Sequence, residues 1–447
     1  LLLDDWHTPT AATTASLLRL LQNARSLKIV VTTHERLHLS AEWLLILTGL
    51  ESPAATLHEP DQIARNPAVA LFLTHAQRAR GGFAPTATDW QAIAAICRQL
   101  GGNPQALIAL AASVRLMSLP KLNRLLQTEQ LQTAGLDQFE ASLAQHWQAL
   151  APDLRHQCAA LAVFAPTSTT AALQSICNLQ LADLADLVEA AFLTQTDDLV
   201  QFPPLWQQFV RTQQPPAPLV RQAHAHYYES LLAEQVGALR QQNQPTAVQI
   251  LTQAQENIVQ AWRVLCATHG RVRPPAAWGL FHFYDINGQV NEAQSLLALP
   301  APTPLLQAMQ GWFAFRAGQA GMAHQLLLGQ ADQLGQEPDQ QTLALVRCYT
   351  AVVLTKLGNL AGAEQELRQA WLISQQLGDL WGNALALNIA GDIAFARANL
   401  TRAGELYQQS LTLKRIVQDD WGQAFCLMNL GQVAYAEKRY DEATSYY

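Results

Sequence analysis

Charge is scarce in this 447-residue chain: 14% of it is Asp, Glu, Lys or Arg, and 35 acids outnumber 28 bases for a formal net charge of −7. That balance argues against a broad nucleic-acid footprint on this segment and leaves nucleic acid as a partner only through a domain outside the chain. Long apolar runs are missing too. Polar residues interrupt each stretch well before the roughly 18 to 20 residues of a bilayer span, and no charged-then-apolar signal precedes residue 1. The expectation is a soluble, cytoplasmic protein with no membrane partner. Cysteine pairs at redox or metal spacing are absent: Cys97, Cys158, Cys177, Cys266, Cys348 and Cys426 stand far apart inside apolar helical patterns, which predicts buried, reduced thiols. His224 and His226, two apart on an expected helix, point to different faces and make no metal site. No Ser/His/Asp or Cys/His set has catalytic spacing, so hydrolase chemistry other than on a nucleotide has no support. A phosphate-cradling GxxxxGK(S/T) loop occurs nowhere.

What is present is apolar mass. Hydrophobic residues make up 49% of the chain, enough for sizeable cores, and the length predicts two to four domains. Strand signals are confined to the first fifty residues. LLLDDW (1 to 6) and LKIVVTT (27 to 33) are short aliphatic runs of the kind buried in a parallel sheet, and EWLLIL (42 to 47) reads as a possible third. Between the first two, the leucines of TASLLRLLQNA (14 to 24) recur at helical spacing, which completes a strand, helix, strand unit. Beyond Pro53 helices take over, punctuated by Gly and Pro clusters, except for a small hairpin expected within FLTQTDDLVQFPP (192 to 204).

The last third is periodic. A shift of forty superposes Gly311, Ala351, Gly391 and Gly431, then Ala323, Ala363, Ala403 and Ala443, then Leu327, Leu367, Tyr407 and Tyr447. Small residues at fixed places, with a large one four positions after the second, describe helical hairpins that stack into a solenoid with a concave groove. The spacing resembles the tetratricopeptide repeat, lengthened from 34 residues to 40 by longer turns. Trp312, Trp371, Trp381 and Trp421 fall within the repeats as core residues, one or two of them lining the groove. Such a groove predicts a protein or peptide partner, and self-assembly is possible. Both ends of the chain look cut.

A run of aliphatics ending in Asp4-Asp5 at a strand tip is how phosphate-handling α/β proteins present carboxylates to Mg²⁺. The next strand ends in Thr32 and Thr33, hydroxyls placed where a sensor of the terminal phosphate would sit. This order resembles the second half of the nucleotide-binding domain in STAND-class signalling ATPases, the NB-ARC-like group, whose Walker B strand ends in paired acids and whose sensor strand ends in Thr-Ser/Thr-Arg. ICRQLGGNPQALIALAASVRL (96 to 116) is similar to the family's helical segment carrying Gly-Leu-Pro-Leu, and HWQALAPDLRHQC onward to its winged-helix domain. The resemblance implies a mainly α chain. Residues 1–58 would be the C-terminal part of an α/β P-loop nucleotide-binding domain, 59–135 a helical lid, 136–214 a winged helix, 215–270 connecting helices, and 271–447 an α-solenoid of TPR-like hairpins.

It further implies ATP or ADP and Mg²⁺ as ligands of a longer parent, and a switch closed with ADP and open with ATP, with an effector outside this chain. Asp4 and Asp5 would be catalytic, Asp4 meeting the metal through water. Thr32 and Thr33, with His34 or Arg36, would sense the γ-phosphate, and Gly102 and Pro104 would lie against the base. Without the phosphate loop, this chain alone is expected neither to bind nucleotide tightly nor to hydrolyse it. The sequence also departs from the family. His34 stands at the sensor Arg position, only Gly102 and Pro104 survive of Gly-Leu-Pro-Leu, and Phe202, Pro203 and Pro204 replace Met-His-Asp. These departures keep open an alternative, a TPR scaffold with a degenerate, non-hydrolysing nucleotide site.

Overall fold

The computed structural model is a mainly α-helical chain, and it describes all residues except 5, 7–9, 25, 34–36, 38, 40–41, 46, 48, 55–56, 58, 128–136, 191, 269–271, 299–301 and 336–338. The chain divides into two compact units, Leu1–Arg221 and Gln222–Tyr447. Among the described residues no helix is long and apolar enough to cross a membrane.

The first unit opens with β1 (Leu2–Leu3) and β2 (Val30–Val31), which pair in parallel across α1 (Ala11–Asn23). Val30 N–H donates to Leu1 O, Thr32 N–H to Leu3 O and Trp6 N–H to Thr32 O, each at 2.9 Å, so the ladder runs past both strand tips. Helix α1 starts at Thr10, which exchanges bonds with Thr13: each side-chain oxygen accepts from the other residue's backbone N–H. Among the described residues of the expected third strand, 42–45 and 47, none is in a strand, with Trp43 98% exposed and Leu45 85% exposed. An apolar run becomes a buried strand only where a sheet neighbour and covering helices receive it, and here these side chains meet solvent.

Helices α2 (Pro60–Ala64), α3 (Pro67–Ala79), α4 (Asp89–Gln99), α5 (Pro104–Ala112) and α6 (Leu119–Gln127) follow, sharing a core of Ile63, Phe72, Ile93, Ile96, Leu107 and Leu110. Next come α7 (Asp137–Ala149) and α8 (Pro152–Leu161), then β3 (Thr167–Thr169), α9 (Thr170–Cys177), α10 (Leu181–Glu189), β4 (Thr194–Thr196), β5 (Leu199–Gln201) and α11 (Pro204–Gln213). The three strands form an antiparallel sheet in the order β3-β5-β4. The expected hairpin is β4–β5, closed by a two-residue loop whose Asp197 adopts φ 53, a left-handed conformation that Asp tolerates. Arg211 ties α11 to the end of α8, its Nε donating to Ala162 O at 2.7 Å.

The second unit is a solenoid. The boundary falls in the first turn of α12 (Pro218–Arg240), which is followed by α13 (Gln244–Thr268), α14 (Pro274–Ile286), α15 (Val290–Leu297), α16 (Pro304–Arg316), α17 (Ala320–Leu327) and α18 (Gln330–Leu334). Then come the regular pairs α19 (Gln340–Lys356) with α20 (Leu360–Leu377), α21 (Leu380–Ala396) with α22 (Leu400–Ile416), and α23 (Asp420–Ala436) with α24 (Tyr440–Tyr446).

The extra length over a 34-residue repeat sits in the helices, not in the turns. Helices α19 to α23 are 17 or 18 residues long, and the turns between them take only two or three. Each hairpin turn needs one left-handed residue, supplied by Gly358 (φ 80) in one repeat and by Ala398 (φ 59) in the next.

The recurring small residues lie where paired helices touch. A Cβ on Gly311 would come 2.8 Å from Leu327, one on Gly391 2.4 Å from Tyr407, and one on Gly431 2.8 Å from Tyr447. Ala323, Ala351, Ala363 and Ala403 have no exposed surface, and Ala443 is also buried. Ala403 sits among Tyr407, Leu411, Cys426, Leu430 and Val433. Enlarging it overpacks that cluster, at about 1 to 3 kcal/mol. Ala403→Leu is expected to lower the melting midpoint of the second unit, while Gln408→Leu on the exposed face of the same helix leaves it unchanged; equal midpoints in thermal melts would contradict this packing.

Candidate functional site

Among the described residues, two polar clusters bear on function, one in each unit. In the first, the parallel ladder sets Asp4 at the tip of β1 beside Thr32 at the tip of β2, and the Thr32 hydroxyl donates to Asp4 Oδ1 at 2.5 Å. Thr33 follows at the same strand end. Asp5, His34 and Arg36 lie outside the described residues, and so does any geometry for their expected roles. The expected metal position is Asp4 alone, and no metal-binding group of His, Cys, Asp and Glu occurs among the described residues.

Gly102 and Pro104 sit at the start of α5. Gly102 takes φ 65 and its carbonyl accepts Leu50 N–H at 2.8 Å, so close that a Cβ there would fall 1.8 Å from Leu50 O. Glycine is therefore required by the passage of residues 49–50 over this turn. Asn103 caps α5 by accepting Ala106 N–H at 3.0 Å, and exposed Pro104 fills the first helical position, where its missing N–H costs nothing. The Asn in place of a family Leu thus has a local structural reason.

In the second unit, Asp339, Asp379 and Asp419 recur at intervals of forty and cap α19, α21 and α23, accepting from the backbone N–H of Thr342, Gly382 and Gly422. Two of them face a cavity of about 900 Å³, lined also by Gln241, Gln341, Trp381 and Gln418. The third, Asp419, is buried beneath it. Its Oδ2 accepts from Lys414 Nζ at 2.6 Å and from Trp381 Nε1 at 2.8 Å, and its Oδ1 from Gln244 Nε2 at 2.8 Å.

The Trp381 ring meets two cations, Arg240 with its guanidinium carbon 5.0 Å and Lys414 with its ammonium 4.2 Å from the centroid. Arg240 Nε donates to His282 Nε2 at 2.9 Å, so that nitrogen carries no proton, and the ring stacks on Trp278. Burial, reinforced by the charges of Arg240 and Lys414, holds His282 well below the ordinary imidazole range and keeps it neutral. Burial also lowers Lys414, opposed by Asp419.

Sequence reasoning found Trp381 and missed Arg240, Gln244, His282, Lys414 and Asp419. The forty-residue recurrence of Asp was a signal available for the last of these. Cys97, Cys158 and Cys348 are buried thiols that burial pushes up to about 12. Cys177 and Cys266 correct the expectation of full burial, being only partly buried at helix positions near element ends. His224 is buried against Asn257, and His226 points to Glu229.

No protein-family model matches this sequence, and no curated protein does. Among solved structures, the chain is similar over its whole length to a signal transduction ATPase with numerous domains (STAND) with a tetratricopeptide repeat sensor from Pyrococcus horikoshii, at TM-score 0.51 and 16% identity. The two share a fold. The chain spans 60% of that protein's length. A second likeness, to BtubC from P. vanneervenii, covers 42% of this chain and 83% of that one at TM-score 0.32 and 16% identity, too weak to carry an argument.

The buried Lys414–Asp419 pair is a single unit of stability, because removing one partner strands the other charge out of water. Lys414→Met is expected to destabilise the second unit by about 3 kcal/mol, measured by urea unfolding. Asp392, which accepts Tyr407 Oη–H at 2.8 Å, behaves oppositely. Burial raises it to about 6, from 3.8, so the folded state favours its neutral form; the penalty is absent below the unfolded pKa and full above the folded one. Asp392→Asn should therefore stabilise at pH 8, by at most about 3 kcal/mol, with the gain shrinking as pH falls below 6. A gain that grows toward acid would contradict the assignment.

Proposed function

We propose that the chain is part of a nucleotide-dependent STAND switch, in which the first unit handles nucleotide and the helical array of the second senses a protein or small ligand. The observation that carries the reading is Asp4, held beside Thr32 at adjacent strand tips, in a chain whose whole length follows the fold of a STAND protein with a tetratricopeptide sensor.

In this reading Asp4 and Asp5 orient Mg²⁺ and the attacking water, Thr33 with His34 or Arg36 reads the γ-phosphate, and Gly102 and Pro104 border the base. The helices and three-stranded sheet of residues 152–213 follow the helix, strand, helix, helix, hairpin order of a winged helix, which supports an internal relay role for that module. Its central helix carries Asp183 and Asp186, a sign ill suited to a DNA groove. The output is an effector outside the chain.

A second reading, a TPR scaffold that binds a peptide without nucleotide, is favoured by the cavity, which lies wholly within the second unit. One measurement tests the chain itself, and a second separates the two readings. The 447-residue chain by itself should turn over no ATP, because two carboxylates cannot hold a polyanion without the backbone N–H groups and Lys of a phosphate loop. Turnover above blank that disappears in Asp4→Ala would overturn this. In a longer protein that carries such a loop, Asp5→Ala should slow hydrolysis more than it weakens ATP binding, since a carboxylate orienting water acts mainly in the transition state. Absence of any nucleotide binding by that longer protein would favour the scaffold.

A further inference from the structure

We infer that the helical array is held in a closed curl by an intramolecular clasp, in which the α12–α13 turn occupies the array's inner face as a bound segment would. The proposal concerns the second unit alone and stands whether or not the chain handles nucleotide.

The contact spans a sequence separation of 175 residues. Gln244, at the start of α13, is 6% exposed and uses both ends of its carboxamide: Nε2 donates to Asp419 Oδ1 at 2.8 Å and to Leu239 O at 2.8 Å, while Oε1 accepts Trp421 N–H at 3.0 Å. Trp421 N–H belongs to the first turn of α23, where the helix supplies no acceptor of its own. An incoming polar side chain is what such an amide requires, and the chain provides one from its own distant turn. Arg240, at the end of α12, completes the grip. It is 7% exposed, and its guanidinium sits 5.7 Å from the Trp278 ring and 5.0 Å from the Trp381 ring.

Three features mark this as a clasp rather than ordinary core. The bonds are polar and charge-assisted, and they join helix ends instead of helix faces. They bring the first hairpin of the array directly onto α21 and α23, four and five hairpins further along, so they set how tightly the solenoid curls. The 900 Å³ cavity lies against them, with Gln241 and Gln242 of the clasp turn on one wall and the repeat turns at 339–341, 377–381 and 416–418 on the others. Whatever enters that cavity touches both sides of the joint, and its fit to the closed or the open spacing biases the curl.

Amide hydrogen exchange on the full chain tests the idea. Gln244→Glu sets a second carboxylate against Asp419 and removes the donor while leaving the α23 cap intact. It is expected to speed exchange at Trp421 roughly ten- to hundredfold and to increase the radius of gyration in X-ray scattering, with helicity by circular dichroism unchanged. Asn359→Ala, which removes a cap outside the clasp, should leave Trp421 exchange as it was. Unchanged exchange at Trp421 in Gln244→Glu would overturn the clasp, as would equal acceleration in Asn359→Ala, which would mean general loosening. If Gln244→Glu fails to fold, Trp381→Phe, which keeps an aromatic ring beside Arg240 and Lys414 but removes the indole donor to Asp419 together with part of the ring's volume, should give a smaller acceleration at Trp421; none would overturn the proposal.

Discussion

The carboxylate of Asp419 is the constraint around which the second unit is arranged. It is 2% exposed, and a charge so far from water must find its solvation inside the protein. Four groups from four helices provide it: Lys414 from α22, the Gly422 amide from α23, the Trp381 indole from α21 and Gln244 from α13. Three of these lie in neighbouring hairpins, but Gln244 does not. Satisfying one buried acid therefore pulls the beginning of the array onto its far end. The cations that assemble there, Arg240 and Lys414, share one indole, and burial, reinforced by their charges, keeps His282 neutral.

The repeats follow a simpler rule. Two long helices can lie close only where one side chain is nearly absent, and Gly391 under Tyr407 or Gly431 under Tyr447 meets that need. The aromatic hydroxyl then reaches Asp392, so a packing position also carries a polar contact on the neighbouring helix. In the first unit close approach has a different origin: residues 49–50 cross the α4–α5 turn with no room for a Cβ at Gly102. A position readable as part of a nucleotide-binding signature is in any case required to be glycine by its own backbone neighbours.

The polar sites of the two units differ in construction. Asp4 and Thr32 are brought together by only two paired residues in each strand, with Asp4 exposed and Thr32 partly buried. The polar centre of the array is buried, interlocked and adjacent to a large cavity. The polar site of the second unit is thus the more firmly constructed of the two.

The sequence by itself determined the mainly α character, the parallel pairing of residues near 2 and 30, the hairpin near 197 and the forty-residue register, because each rests on local signals: apolar periodicity, turn residues and recurring small side chains. It misjudged residues 42–45 and 47, whose aliphatic composition suits a strand but whose fate depends on what lies beside them. It placed the extra repeat length in turns, although propensity carries each helix on to the next Asp or Asn cap. The clasp, the shared Trp381 and the cavity were decided only by tertiary structure. They join residues as far apart as 244 and 419, a distance over which no periodicity runs, and they arise from the curl of the whole array and from the need of a buried charge for partners that no local pattern announces.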